Sequence, residues 1–179
     1  MDTGDSLEPG AAATGEAKAY LRIAGSDEDG LVGRLVTAAA ELCEQYTGLV
    51  LLTRDFSDVV KVGGGWRDLT RVPVRSIVAL EALAPDGSAS PLPVESYEID
   101  IDAKGEGRAR IERASGALRA RVFYRAGLAA EWEAAPHALR QGVVRLAAFF
   151  YANRDAPRDS ALPAAVAASW RPWRRMRIR

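Results

Sequence analysis

Apolar residues recur along the chain with two different periods, which divides it into helical and strand-like parts. From about residue 27 to 47 they recur every three or four positions, and this predicts a helix with one apolar face. Ser26 is the expected N-cap, with Asp29 three residues later as in a capping box, and Gly48 is the expected stop. The residues of the predicted face are Leu31, Leu35, Ala38, Leu42 and Tyr46.

A second helix is predicted from Pro136, a residue type favoured at the first helical position, to about residue 153. Gly142 lies inside this helix, where glycine costs about 1 kcal/mol relative to alanine. A close approach by another helix would be a reason to tolerate it. The apolar stripe consists of Leu139, Val143, Leu146 and Phe150.

A third helix is predicted to start at Pro163, with Val166, Trp170 and Trp173 near one face. Pro172 must break or kink it, because proline lacks a backbone N–H and clashes with the preceding turn.

Between about residues 50 and 125 the pattern is that of strands and hairpins. Short segments rich in Val, Ile, Leu and Tyr alternate with breaks of Gly, Pro and Asp, and residues 63–65 and 85–87 are expected to form turns. In the last segment one face is apolar and the other mostly basic, with Leu118, Ala120, Val122 and Tyr124 opposite Arg119, Arg121, Phe123 and Arg125. The predicted strands are residues 51–60, 66–70, 76–84, 97–101, 108–112 and 118–125.

The order of elements predicts an α+β fold. Its small helical core packs the N-terminal helix with two C-terminal helices, and the β-rich segment is an insertion between them. Residues 1–15 lack periodicity and are expected to be disordered, and a short helix is expected over 16–23. We therefore divide the chain into an acidic N-terminus (1–15), a central folded domain (16–169) and a C-terminal tail (170–179).

Charge is distributed unevenly along a chain whose 179 residues have zero net charge. Residues 1–30 carry seven acidic residues against Lys18 and Arg22, whereas the C-terminal end is strongly basic. Such asymmetry suits head-to-tail contact between copies, or contact with an acidic partner. Helix capping and the helix dipole explain the acidic triplet Asp27, Glu28 and Asp29, which is also a candidate contact between subunits.

Few residues of the chain are suited to catalysis or metal binding. Cys43 is the only cysteine, which excludes an intrachain disulfide, and it is expected to be a core residue. The only histidine, His137, has no nucleophile motif beside it, and residues 63–65 lack the continuation of a phosphate-binding loop. Residues 100–106 resemble the start of a calcium loop, but Lys104 stands where an oxygen ligand is needed. A catalytic pair of carboxylates stays an open alternative, because the distance between the two groups depends on the fold and not on their spacing in the sequence. We expect no catalytic residue, metal or cofactor.

No membrane segment is predicted. No run approaches the roughly 18 apolar residues that a membrane span needs, and the acidic N-terminus is the reverse of a secretory signal. We expect the chain to stay in the cytoplasm where it is made.

The C-terminal tail is the segment most suited to docking. Its last ten residues contain five arginines and two tryptophans, the residue types most enriched at interface hot spots, and no acid. The same arginines and tryptophans would also suit phosphates and stacked bases, so a nucleic-acid-binding accessory protein is the alternative. The candidate docking residues are Trp170, Arg171, Trp173, Arg174, Arg175, Met176, Arg177, Ile178 and Arg179.

Taken in order, these segments resemble the head–tail connector (adaptor) proteins of long-tailed bacteriophages and of phage-derived gene transfer agents. The resemblance covers about residues 17 to 175, although a tyrosine is typical of the family near Trp173. The segments that carry it are Ala-Lys-Ala-Tyr-Leu-Arg-Ile at 17–23, Glu-Gln-Tyr-Thr-Gly at 44–48, Arg-Val-Pro-Val-Arg-Ser-Ile at 71–77, Tyr-Glu-Ile-Asp at 97–100, Tyr-Arg-Ala-Gly at 124–127, Tyr-Ala-Asn-Arg at 151–154 and Trp-Arg-Pro-Trp-Arg at 170–174.

The resemblance implies a structural protein without catalytic activity that acts at the head–tail junction of a virion or virion-like particle. Such proteins form a ring of about twelve copies beneath the capsid portal, made from subunits synthesised in the bacterial cytoplasm. The ring receives the next connector (stopper) or a tail component, and DNA passes through its channel without sequence recognition. The C-terminal segment is similar to an arm that engages the portal protein.

Overall fold

The chain forms two compact units in a computed structural model that describes residues 3–4, 6–112, 116–153 and 162–175. The helical unit comprises Leu7–Leu52 and Leu128–Arg179, and the β unit comprises Met1–Ser6 and Thr53–Gly127. This arrangement confirms the predicted α+β fold, in which a β-rich segment interrupts a helical core. The helices are α1 (Gly10–Leu21), α2 (Asp29–Thr47), α3 (His137–Ala152) and α4 (Ala164–Trp170).

Helix α2 is buried along a different face from the predicted one. Its two apolar stripes lie side by side, and the stripe made of smaller residues packs into the core, because small side chains allow α1 and α3 to approach closely. Leu42, on the predicted face, keeps 38% of its surface exposed. The buried residues of α2 are Val32, Val36, Ala39, Ala40, Cys43 and Thr47.

Cys43 is a core residue, as predicted. Burial, with a smaller contribution from the charge of Glu44, raises the pKa of its thiol to about 12. The thiol therefore stays protonated at neutral pH and is not activated as a nucleophile.

The start of α2 differs from the predicted capping box. The N-cap residue is Glu28 rather than Ser26, and among the described residues no side chain caps the first turn. The backbone N–H of Asp29 donates to the carbonyl of Ser26 at 3.1 Å, and the carboxylate of Asp29 pairs with Lys18 of α1. Asp29, the acid that the capping box required, thus forms an ion pair with another helix instead. The end of the helix is as predicted, at Gly48 with a φ of 72°.

Helix α1 begins at Gly10, so the expectation of disorder is wrong for residues 10–15. Ala13 and Ala17 are fully buried, and their small side chains allow α1 to contact both α2 and α3. The side chain of Glu16 accepts hydrogen bonds from the indole N–H of Trp132 at 2.8 Å and from Gln141 at 3.0 Å. The sequence pattern does not indicate the first half of α1, because a helix that buries only alanine carries no stripe of large apolar residues.

A short parallel bridge joins the two sequence segments of the helical unit. Leu52 pairs with Ala129, and the N–H of Leu128 donates to the carbonyl of Val50 at 2.9 Å. The chain therefore leaves the helical unit and re-enters it at neighbouring positions.

The described residues of the β unit form two antiparallel sheets. The five-stranded sheet has the order β1-β2-β8-β4-β5, and the three-stranded sheet has the order β3-β7-β6. All six predicted strands are present, β6 with its predicted ends and the other five with shifted ends, and β1 and β5 are additional short edge strands. The bounds are β1 (Thr3–Gly4), β2 (Arg54–Lys61), β3 (Arg67–Asp68), β4 (Val74–Leu83), β5 (Ala89–Pro91), β6 (Tyr97–Ile101), β7 (Gly107–Ile111) and β8 (Arg119–Ala126).

Strand β8 lies between β2 and β4 and shows the predicted alternation. Ala120, Val122 and Tyr124 are buried, with exposures of 1% or less. Leu118 precedes the strand and is 79% exposed, so the predicted apolar face is one residue shorter than expected.

A buried carboxylate ties the connection after β3 to the five-stranded sheet. Asp58 of β2 accepts hydrogen bonds from the backbone N–H of Thr70 at 2.7 Å, from the hydroxyl of the same residue at 2.9 Å and from the hydroxyl of Tyr124 at 3.1 Å. Burial raises the pKa of Tyr124, so its hydroxyl stays protonated and able to donate. These three bonds satisfy a charged group that is only 5% exposed.

We expect Asp58→Ala to destabilise the protein by about 2 kcal/mol, because it leaves the buried hydroxyl of Tyr124 without its acceptor. Asp55→Ala is the matched control, since this carboxylate is exposed and its pair with Arg125 contributes less than about 1 kcal/mol. Urea denaturation measures both changes. Equal losses in the two variants would contradict the structural role of Asp58.

Candidate docking segment

The predicted docking tail begins inside the helical unit rather than at its surface. Helix α4 ends at Trp170, and a single 3₁₀ turn, Arg171–Trp173, follows at the predicted break around Pro172. The described chain ends at Arg175, so Met176, Arg177, Ile178 and Arg179 lie outside the described residues.

Trp170 is part of the protein's own core. Its side chain is fully buried, and its indole N–H donates to the carbonyl of Leu139 at 3.3 Å. The indole ring packs against Gly142, where an added methyl carbon would lie 2.6 Å from Cε2 of Trp170. Glycine is therefore required in α3 because a helix approaches closely, as the sequence indicated. The side chain of Trp170 is not available to a partner in this conformation, which corrects its place among the docking residues.

The residues after Trp170 lie against the C-terminal end of α2. The backbone N–H of Arg175 donates to the carbonyl of Thr47 at 2.8 Å, one of the carbonyls that the end of a helix leaves without an internal partner. The guanidinium of Arg174 lies 5.6 Å from the ring centroid of Tyr46. Both arginines thus stand at the negative end of the α2 dipole, where cations are favoured. We call this contact between residues 174–175 and 46–47 the tail clasp.

The surface beside the tail clasp is aromatic and basic. Arg171 and Arg174 are exposed, and Trp173 is partly buried against the helical core. This arrangement presents guanidinium groups beside a half-exposed indole, which suits binding to carbonyl or carboxylate groups of a partner. No sequence pattern predicts the tail clasp, because its two sides come from the two separate sequence segments of the helical unit.

Two acids of the triplet at the start of α2 have partners within the chain. The carboxylate of Glu28 accepts a hydrogen bond from the hydroxyl of Tyr151 at 2.6 Å, and Asp29 pairs with Lys18. Asp27 is exposed. Asp29 is exposed as well, so Asp27 and Asp29 are the accessible acids of the three proposed as a subunit contact.

The remaining sequence candidates have structural surroundings. His137 is exposed in the first turn of α3. Asp102 accepts hydrogen bonds from the backbone N–H groups of Lys104 at 2.8 Å and of Glu106 at 2.7 Å, so it closes a turn between β6 and β7. Within the described residues, no group of three or more His, Cys, Asp or Glu side chains is placed to hold a metal ion. None of the described helices is long and apolar enough to span a membrane.

The fold is similar to that of neck components of phage-like particles. One similar structure is the neck of an empty gene transfer agent particle computed with C6 symmetry, with a TM-score of 0.80 and 26% identity. A second is the virion of a native gene transfer agent particle, with a TM-score of 0.78 and 26% identity. A third is the neck of a native particle computed with C12 symmetry, with a TM-score of 0.74 and 25% identity. Each match covers 99% of this chain and 97% of the other.

No protein-family model matches the sequence, and no curated protein matches it significantly. The structural similarity extends over both units and over the α+β fold that interrupts a helical core with strands. These features define a structural protein of the virion neck. The comparisons thus confirm the resemblance that the sequence indicated, to head–tail connector proteins of bacteriophages and gene transfer agents.

We expect Gly142→Ala to destabilise the helical unit by about 2 kcal/mol, because the added methyl collides with the indole of Trp170. The gain in helix propensity, about 1 kcal/mol, is too small to offset this collision. Thermal or urea unfolding of the purified chain measures the change.

Gly33→Ala in α2 is the matched control. A methyl there would meet only Oγ1 of Thr14 at 3.5 Å, an ordinary contact, so this variant should be as stable as the wild type or more stable by up to about 1 kcal/mol. A Gly142→Ala protein that is more stable than the wild type would show that Trp170 does not pack closely in solution.

Proposed function

We propose that this chain forms a ring that joins the capsid portal to the next connector or tail component and surrounds the channel through which DNA passes. The observation that carries the proposal is the similarity over 99% of the chain to subunits of gene transfer agent necks. Those necks were computed with C6 and C12 symmetry, which supports a ring of about twelve copies. In this role the protein acts through its surfaces rather than through a reaction, and it is located at the head–tail junction.

The zero net charge of the chain also supports a structural ring over a dedicated nucleic-acid-binding protein. A protein that binds DNA tightly usually has a basic domain, since affinity comes largely from contacts with phosphates. A ring that lets DNA pass must hold it weakly. In the proposed channel, DNA is therefore enclosed without sequence recognition.

We propose that the C-terminal tail engages the portal protein. Trp170 contributes indirectly, by holding the start of the tail, and the tail clasp fixes Arg174 and Arg175, which directly precede residues 176–179 in the sequence. Arg171 and Trp173 add an accessible aromatic and basic surface. Repetition of this contact around a ring multiplies a modest single interaction.

We also propose that the acidic start of α2 contacts a basic surface of the neighbouring subunit. Asp27 and Asp29 are exposed there, with Asp29 also paired to Lys18, whereas Glu28 is partly buried and bonded to Tyr151.

Co-expression with the portal protein encoded nearby tests the adaptor function. We expect a complex with about one copy of this chain per portal subunit, measured by native mass spectrometry. Deletion of residues 176–179 should abolish the complex, because it removes the last four candidate docking residues and leaves Trp170 and the tail clasp in place. Binding to the portal that survives this deletion would contradict the role of the tail.

Arg34→Ala with Arg145→Ala is the matched control for the tail arginines, since both are exposed and lie on α2 and α3. This variant should keep the portal complex, whereas Arg177→Ala with Arg179→Ala should weaken it. The nucleic-acid-binding alternative would be supported if the chain does not bind the portal but binds free DNA with an affinity that falls steeply as salt increases.

A further inference from the structure

Strand β6 is an open edge of the three-stranded sheet. It has β7 on one side, and no described strand pairs with its other side. The other edge strands are short or blocked, since β1 and β3 contain two residues each and β5 ends in Pro91. β6 is five residues long and contains neither proline nor lysine, the residues with which proteins usually protect an edge.

The register of the hairpin shows which backbone groups of β6 face outward. Hydrogen bonds at the two ends of the ladder join residues 96 with 112 and 102 with 106. Because bonded pairs alternate along an antiparallel ladder, the even-numbered residues of β6 bond to β7. The N–H and C=O groups of Tyr97, Ile99 and Ile101 therefore point toward the open edge.

The side chains of β6 alternate in the same register. Ile99 and Ile101 lie on the face of the hairpin that also carries buried Ala109, yet they are 45% and 36% exposed. Apolar surface is therefore open to solvent on this strand.

Glu98 and Asp100 lie on the opposite face of β6. They pair with Arg110 at 2.6 Å and with Arg108 at 2.9 Å. Their side chains remain 55% and 42% exposed, and a carboxylate accepts more than one donor. The edge therefore suits an extended segment that alternates apolar and basic residues.

The chain itself contains such a segment at its C-terminus. Residues 176–179 read Met-Arg-Ile-Arg, which alternates apolar and basic residues with the period of a strand. In a register that places Ile178 beside Ile99, its neighbours Arg177 and Arg179 lie on the face of Asp100 and Glu98. Length, charge and hydrophobic alternation therefore match the open edge.

We propose that β6 binds the C-terminal segment 176–179 of a second copy of this chain as an added β-strand. The inference rests on the proposed portal-docking function of the tail, because it gives the tail a second binding site that competes with the portal. Before the portal is present, this pairing covers the edge strand and the docking residues together. Docking to the portal then releases β6.

Self-association of the full-length chain without portal tests this inference. We expect association that rises with concentration in sedimentation velocity and slower amide exchange at Ile99 and Ile101. Glu98→Lys with Asp100→Lys should weaken association by about tenfold, and so should Arg177→Glu with Arg179→Glu. The chain that combines all four substitutions should regain it, because each copy then carries both reversed surfaces.

Two further variants separate pairing at β6 from a general effect of charge or of misfolding. Glu131→Lys with Glu133→Lys makes the same charge change at exposed positions outside β6 and should leave association unchanged. Ile99→Pro removes an outward N–H without removing a bond to β7, so it should abolish pairing while the fold is retained. Since the tail substitutions leave β6 intact, a misfolded β6 variant does not decide the result.

Monomers at every concentration, association that both charge reversals leave unchanged, or a combined variant that does not recover would each overturn the inference. Portal binding by the same variants separates this outcome from failure of the proposed function. A tail variant that loses the portal but still self-associates leaves the adaptor function standing and removes the pairing with β6.

Discussion

The close contact between Trp170 and Gly142 is the constraint on which the C-terminal half of the helical unit depends. An indole ring fits against α3 because glycine presents no side chain there, and its N–H reaches the carbonyl of Leu139. This contact fixes where α4 ends and where the tail starts. The tail clasp follows from it, since Arg175 reaches the end of α2 only if the preceding turn is held in place.

The tail thus contains two tryptophans that the sequence does not distinguish but that have different roles in the structure. Tryptophan and arginine are typical of interfaces, but tryptophan is equally suited to a core when its N–H finds an acceptor. Trp170 is buried in the core, and Trp173 is partly buried against it. In the proposed portal-binding role this boundary between core and surface would matter, because an arm without a fixed root would lose more conformational entropy on docking.

Long periodic elements and turns could be predicted from the sequence, as could the α+β order with its β insertion. The hairpin strand β6 was predicted with its observed ends, because alternation and flanking breaks agree there. The buried face of α2 could not be chosen, since two apolar stripes compete and only the partners α1 and α3 decide between them. The length of α1 was underestimated, because a helix that buries only alanine leaves no amphipathic pattern. The tail clasp could not be predicted either, because it depends on a tertiary hydrogen bond to a backbone carbonyl.

The bridge between Leu52 and Ala129 has a consequence for how this architecture can vary. Because the chain leaves and re-enters the helical unit at adjacent positions, the length of the inserted segment imposes little geometric demand on the helices. The insertion can lengthen, shorten or be exchanged for another module while the helical frame keeps its contacts. One frame can thus carry different β modules through evolution, with changes of specificity confined to the interchangeable part.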